Sequence, residues 1–218
     1  EVNRAMKTDD LISMLAAGEP AMDRLAMAKR FALALLVGGV AAVVLMALYF
    51  GVRPDLAEVA RTPVFWAKLA LPGSLALGSL WLSTRLARPG VEGGAAWASL
   101  CLPIIVVWLA AIAALWQAPT EARMPMLLGI SWKECPFNIA MLSVPGFISV
   151  FWALRGLAPT RLRLAGAGGG LLAGSTATLA YCLHCPEMEV PFWGVWYLSG
   201  MLLPALFGAI VGPYLLRW

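Results

Sequence analysis

Apolar residues in this chain arrive in blocks about twenty residues long, and charge is confined to the ends of the blocks. Six can be drawn: Phe31–Phe50, Val64–Thr84, Ala95–Trp116, Asn138–Leu154, Leu164–Leu183 and Val195–Leu216. At ~1.5 Å per residue, such a block in helical form matches a hydrocarbon core of roughly 30 Å. Composition agrees: 61% of residues are hydrophobic and 13% charged, where a soluble domain carries about 25% charge. A β-barrel would need alternating apolar and polar residues in segments of about ten, and no such alternation is present. The expected fold is therefore all-α: a polytopic membrane protein of six transmembrane helices (31–50, 64–84, 95–116, 138–154, 164–183, 195–216).

Pro103, Pro145 and Pro204 fall inside these blocks, where membrane helices accommodate proline by local adjustment. The fifth block is glycine-rich, and Gly166, Gly170 and Gly174 recur every fourth residue. That pattern predicts a small-residue seam for close helix packing. It does not predict a phosphate loop, which needs a preceding strand and polar surroundings. No Asp or Glu lies within any block, and Lys68 is near enough to an end to snorkel. Ion-coupled transport usually needs ionisable groups at mid-depth, so these spans argue against it.

The net charge of +4 is not a nucleic-acid signal, because the basic residues cluster at block ends. With both termini on one side, that side holds eleven Lys and Arg against five opposite. The positive-inside rule then places both termini in the cytoplasm. No cleavable signal peptide is expected: the first apolar block begins only near Phe31, is long enough to span, and lacks a small-residue cleavage site. Residues 1–5 read as a vector remnant or an upstream extension. Residues 6–30 form a cytoplasmic tail, and 31–218 the membrane domain.

The tail predicts one short helix. Thr8 suits an N-cap, Asp9 and Asp10 the first turn, and Gly18 the stop. Leu11, Met14 and Leu15 share a face with Ile12 beside them. Three turns are marginal alone in water, so this stripe calls for a groove on a partner.

The chemistry-bearing residues concentrate between the fifth and sixth blocks. Cys182, His184, Cys185, Glu187 and Glu189 lie there, and His184 is the only histidine. Cys135 precedes the fourth block, on the same face by the topology above. Cys-x-x-Cys at 182–185 lacks the context of a thioredoxin-like site, and the histidine is misplaced for haem attachment. Two readings stay open. Cys135, Cys182, His184 and Cys185 could hold a soft ion such as zinc or copper(I). Alternatively, thiols from neighbouring helices could form a disulfide. Glu187 and Glu189 are solvated loop charges, tune the thiols, or supply oxygen ligands. Phe192, Trp193, Trp196 and Tyr197 read as an interfacial aromatic belt. Cys101, inside the third block, is expected to pack as a small hydrophobe.

Specific motifs accompany this plan: Lys-Thr-Asp-Asp-Leu-Ile at 7–12, Glu-Cys-Pro at 134–136, and His-Cys-Pro-Glu at 184–187 followed by Val-Pro-Phe-Trp-Gly-Val-Trp-Tyr. With six spans, they resemble the NrsF-type membrane anti-sigma factors of proteobacteria over essentially Met6 to Trp218. The resemblance implies a non-enzymatic, multi-pass inner-membrane protein that makes no direct nucleic-acid contact. It implies that the tail, through Thr8, Asp9, Asp10, Leu11, Ile12, Met14 and Leu15, holds an extracytoplasmic-function sigma factor. It implies that two periplasmic cysteines, here Cys135 and Cys185, are needed for release under heavy-metal or oxidising stress. Cys182 lies outside that family pattern. No cofactor is obligatory: a soft metal ion at Cys135, Cys185 and His184, or a disulfide, would serve. Competing classes are a membrane thiol oxidoreductase using Cys182 and Cys185, a metal or small-molecule transporter, and a plain structural membrane protein.

Overall fold

The computed structural model describes residues 25–217 apart from Pro89 and Ala158. The whole tail assignment, Thr8 to Leu15 included, lies outside the described residues. Every regular element among the described residues is helical. The long helices are α1 (Ala26–Tyr49), α3 (Pro63–Leu86), α4 (Ala96–Gln117), α6 (Cys135–Arg155), α7 (Leu162–Tyr181) and α8 (Val190–Leu215). Two short helices sit in connections: α2 (Leu56–Val59) and α5 (Thr120–Leu128).

Local chemistry sets the ends. Gly51, just past α1, takes φ +75°, a conformation glycine adopts without penalty. Proline occupies the first turn of α3, α6 and α8, where its missing N–H has no helical partner to lose. Interior prolines are more numerous than the three noted above, and include Pro72 in α3 and Pro213 in α8.

Five helices (α1, α3, α4, α6 and α8) are long and apolar enough to cross a membrane. The expected fifth span, α7, is also long enough at 20 residues, but glycine dilutes its hydropathy. Its position explains the composition. α7 is the central helix, packed against α1, α3, α6 and α8, and 13 of its 20 residues are buried. A helix enclosed by other helices needs small residues more than apolar ones.

The glycine seam faces α8. A Cβ on Gly166 would run into the Gly208 carbonyl, and one on Gly170 into the Pro204 carbonyl. At Gly174 it would lie 2.8 Å from Pro204 Cγ. The α1–α6 crossing is similarly close: a Cβ on Gly38 would lie 2.6 Å from Gly146 Cα, and Ser149 Oγ of α6 donates to the Ala34 carbonyl of α1 at 2.8 Å. α4 lies at the periphery against α3 and the start of α8. Cys101 on α4 is exposed, so it does not pack as a buried hydrophobe.

Helix bounds shift at the thiol end. Cys135 is the first residue of α6 rather than a loop residue before it, and α8 starts at Val190, five residues before the expected span. Within α8, Trp193–Tyr197 forms a π-turn. Such a turn disturbs the normal helical pairing, and the Gly194 carbonyl accepts Trp108 Nε1 from α4 at 2.9 Å.

Candidate functional site

At one end of the bundle, Cys135, Cys182 and Cys185 enter a single buried cluster, each with 0% exposure. Their placement follows from two helix ends. Cys135 opens α6, its N–H donating to Ser131 O at 2.9 Å. Cys182 follows α7, and its N–H donates to Thr178 O at 2.9 Å. The amides of His184 and Cys185 both reach Tyr181 O at 3.0 Å. The chain therefore winds once more beyond α7, and a three-residue spacing keeps both sulfurs inside. All three thiols are free, and they lie within mutual electrostatic reach.

Lys68 is the residue that sequence reasoning misplaced. It does not snorkel: it has 0% exposure. Its Nζ donates to the carbonyls of Cys185 at 2.7 Å and Glu187 at 2.8 Å and sits 5.6 Å from the Tyr197 ring centroid. It lies on the first turns of α3 and points into the bundle, because the thiol loop there offers carbonyls in place of water. The available signal was the sequence position of Lys68 among apolar residues at the thiol end.

A second cation closes on the same loop. Arg53 Nη1 donates to Cys185 O at 3.2 Å, and its Nε and Nη2 grip Asp55 at 2.7 and 2.8 Å. These hydrogen bonds hold the Asp55 carboxyl below its ordinary range and raise the Arg53 guanidinium. The loop after α1 is thus tied to the loop after α7. Arg53 N–H also donates to Leu183 O at 3.1 Å.

His184 serves that tie rather than the sulfurs. Its Nδ1 lies 3.0 Å from Gly51 O, and its ring sits 5.3 Å from Phe50. The Glu187 carboxylate is also committed. It accepts the amides of Ile130 at 2.6 Å and Ser131 at 3.1 Å, which fixes the turn before α6. Gly129 beside it has φ +56°, and a Cβ there would lie 2.5 Å from the carboxylate. His184 and Glu187 thus each hold a backbone partner on a distant segment, and the Glu187 charge also acts on Cys135.

Among the described residues, no three His, Cys, Asp or Glu side chains converge as a metal site. The residues as placed do not fit a resident ion.

The aromatic follow-on is core, not belt. Phe192, Trp193 and Tyr197 are buried, and only Trp196 is partly exposed. Trp193 Nε1 donates to Glu187 O at 3.2 Å. The Tyr197 hydroxyl is buried beside the thiols, with the side chains of Cys182 and Cys185 as its polar neighbours.

The chain matches residues 15–218 to the family described as NrsF, negative regulator of sigma F. It is 47% identical over 213 residues to "Probable anti-sigma-F factor NrsF" of Azospira oryzae, covering 98% of this chain and 100% of that protein. It is 39% identical over 217 residues to "Anti-sigma-F factor NrsF" of Caulobacter vibrioides, covering 98% of this chain and 100% of that one. No solved structure matches. Such factors are regulatory and non-enzymatic, which sets aside the thiol-oxidoreductase reading. With the family matched from end to end of the helical bundle, the chain belongs to the NrsF family of negative regulators of sigma F.

Proposed function

We propose that this chain is a membrane anti-sigma factor whose tail (6–30) sequesters an extracytoplasmic-function sigma factor and whose buried thiols control release. Six helices, α1, α3, α4, α6, α7 and α8, cross the inner membrane; the even number puts both termini on one side, and the bias of basic residues makes that side the cytoplasm. The names of the two relatives support the regulatory half. The apolar helices and the eleven-to-five bias of basic residues support the topology.

One observation carries the coupling. α1 joins the two ends of the scheme. At its C-terminal end, Gly51 and Arg53 are bonded to His184, Leu183 and Cys185. At its N-terminal end, from Ala26 on, it takes in the last residues of the tail. Thiol chemistry that breaks the first set of bonds therefore acts on a helix about 36 Å long whose other end carries the sigma-binding segment. Leu11, Ile12, Met14 and Leu15 supply apolar anchors in this reading, while Asp9 and Asp10, behind the Thr8 cap, face basic residues of the sigma factor.

The input is oxidation of Cys135 and Cys185, or attack on them by a soft metal ion arriving as a signal. Such an input shifts the equilibrium only if the modified thiols suit the releasing conformation better than the holding one. The test is replacement of Cys135 and Cys185 by Ser with a sigma-dependent reporter. Loss of induction by cadmium or an oxidant is expected, and unchanged induction overturns the sensing role. Deleting residues 6–18 should release the sigma factor constitutively, and its continued co-purification would refute the tail assignment.

A further inference from the structure

Away from the thiols, α6 and α8 enclose a groove of about 770 Å³ that runs from Ala140 and Leu203 to Arg155 at the opposite end of the bundle. Its wall is aromatic and ordered: Phe147 stacks on Phe151 at 4.1 Å and tilts against Phe207 at 5.5 Å. Arg155 is its one charged lining residue. Trp152, also in the lining, carries the Arg30 guanidinium of α1 at 5.5 Å from its ring. Among the described residues, neither Arg155 nor Arg30 has a carboxylate partner.

Length and charge name the occupant. From Ala140 to Arg155, α6 rises about 22 Å, somewhat more than one leaflet of a hydrocarbon core of roughly 30 Å. The slot is apolar along its length and cationic at one end. That matches an acyl chain below an anionic headgroup, and guanidinium groups bind phosphate oxygens in pairs. Basic pockets between membrane helices recognise such headgroups. We propose that this groove is a binding site for one anionic phospholipid, its chain along Phe147 and Phe207 and its phosphate at Arg155 beside Arg30.

The proposal rests on the membrane reading above, and the two fail separately. A chain that leaves the membrane fraction without detergent removes the membrane reading. The lipid site is tested on the full chain in detergent, with equal amounts of phosphatidylglycerol and phosphatidylcholine, by native mass spectrometry. Wild type should retain one phosphatidylglycerol in preference to phosphatidylcholine. Arg155→Gln and Arg30→Gln should each lower that preference about fivefold, and Val144→Trp should fill the groove and abolish both adducts. Equal retention of the two lipids, or a preference untouched by the arginine variants, overturns it. So does a wild-type dimer that Val144→Trp converts to monomer, which would assign the groove to a second copy.

Discussion

Lys68 Nζ donates to the Cys185 carbonyl at 2.7 Å with both residues at 0% exposure. The ammonium of α3 thus holds the backbone of a thiol that belongs to the loop after α7. Both carbonyls it binds keep a second donor: Arg53 Nη1 for Cys185 and Trp193 Nε1 for Glu187. This redundancy shapes the first prediction.

Lys68→Met should leave the fold intact, because neither carbonyl is orphaned and a buried charge is removed. The loop should nevertheless open more often. Losing hydrogen bonds from a charged donor forfeits about 1.5–3 kcal/mol, so maleimide labelling of Cys185, as the sole cysteine, should accelerate roughly tenfold or more. Labelling at the wild-type rate would mean that Lys68 does not keep the loop shut.

Glu187→Ala should destabilise the turn before α6, since the Ile130 and Ser131 amides lose their acceptor. The loss should be about 1–3 kcal/mol, read as faster proteolysis between α5 and α6. Glu187→Gln, which retains an oxygen acceptor, should recover much of it. Equal damage by both variants would point to the charge rather than the hydrogen bonds.

Gly170→Ala should lower the thermal midpoint in detergent, because the new methyl meets the Pro204 carbonyl of α8. Overpacking of this kind costs about 1–3 kcal/mol. Gly73→Ala in α3 is the matched control. A Cβ there meets nothing within 4 Å, and alanine favours the helix by up to ~1 kcal/mol. The two substitutions should move the midpoint in opposite directions.

The Arg53–Asp55 pair predicts an acid-sensitive tie. Asp55 is held below its ordinary value by hydrogen bonds from Arg53, so its contribution is complete above the unfolded value of ~3.9. It disappears as pH falls through the lower folded value. The Asp55 side chain is 47% exposed, so the effect is small. Asp55→Asn should already lack this component and lose less stability than wild type on acidification below about pH 4. Parallel pH profiles would exclude the pair as a contributor.

Cys101→Ser should leave both stability and sigma induction unchanged, as the residue is exposed on α4 and remote in sequence from the thiol loop. Surface changes of this kind stay within about 0.5 kcal/mol. A lost response in the reporter strain would show that the buried cluster is not the whole input.

What could be read from the chain alone was set residue by residue. Twenty apolar residues in a row favour a helix of membrane length whatever lies beside it. Gly166, Gly170 and Gly174 announce a close approach because only the absence of a Cβ permits one. Cys182 and Cys185 flank the only histidine, so the chain itself marks where its thiol chemistry gathers. Choice of neighbour decided the rest. Lys68 is buried because the loop after α7 presents carbonyls where water would otherwise be needed. His184 turns to Gly51, and Glu187 to the Ile130 amide, because those partners sit on segments far away in sequence. Tyr197 and Trp193 lie inside because α8 begins early and passes a π-turn against the cysteines. Transfer energies belong to single residues, but the partners of a buried polar group exist only once the helices have packed.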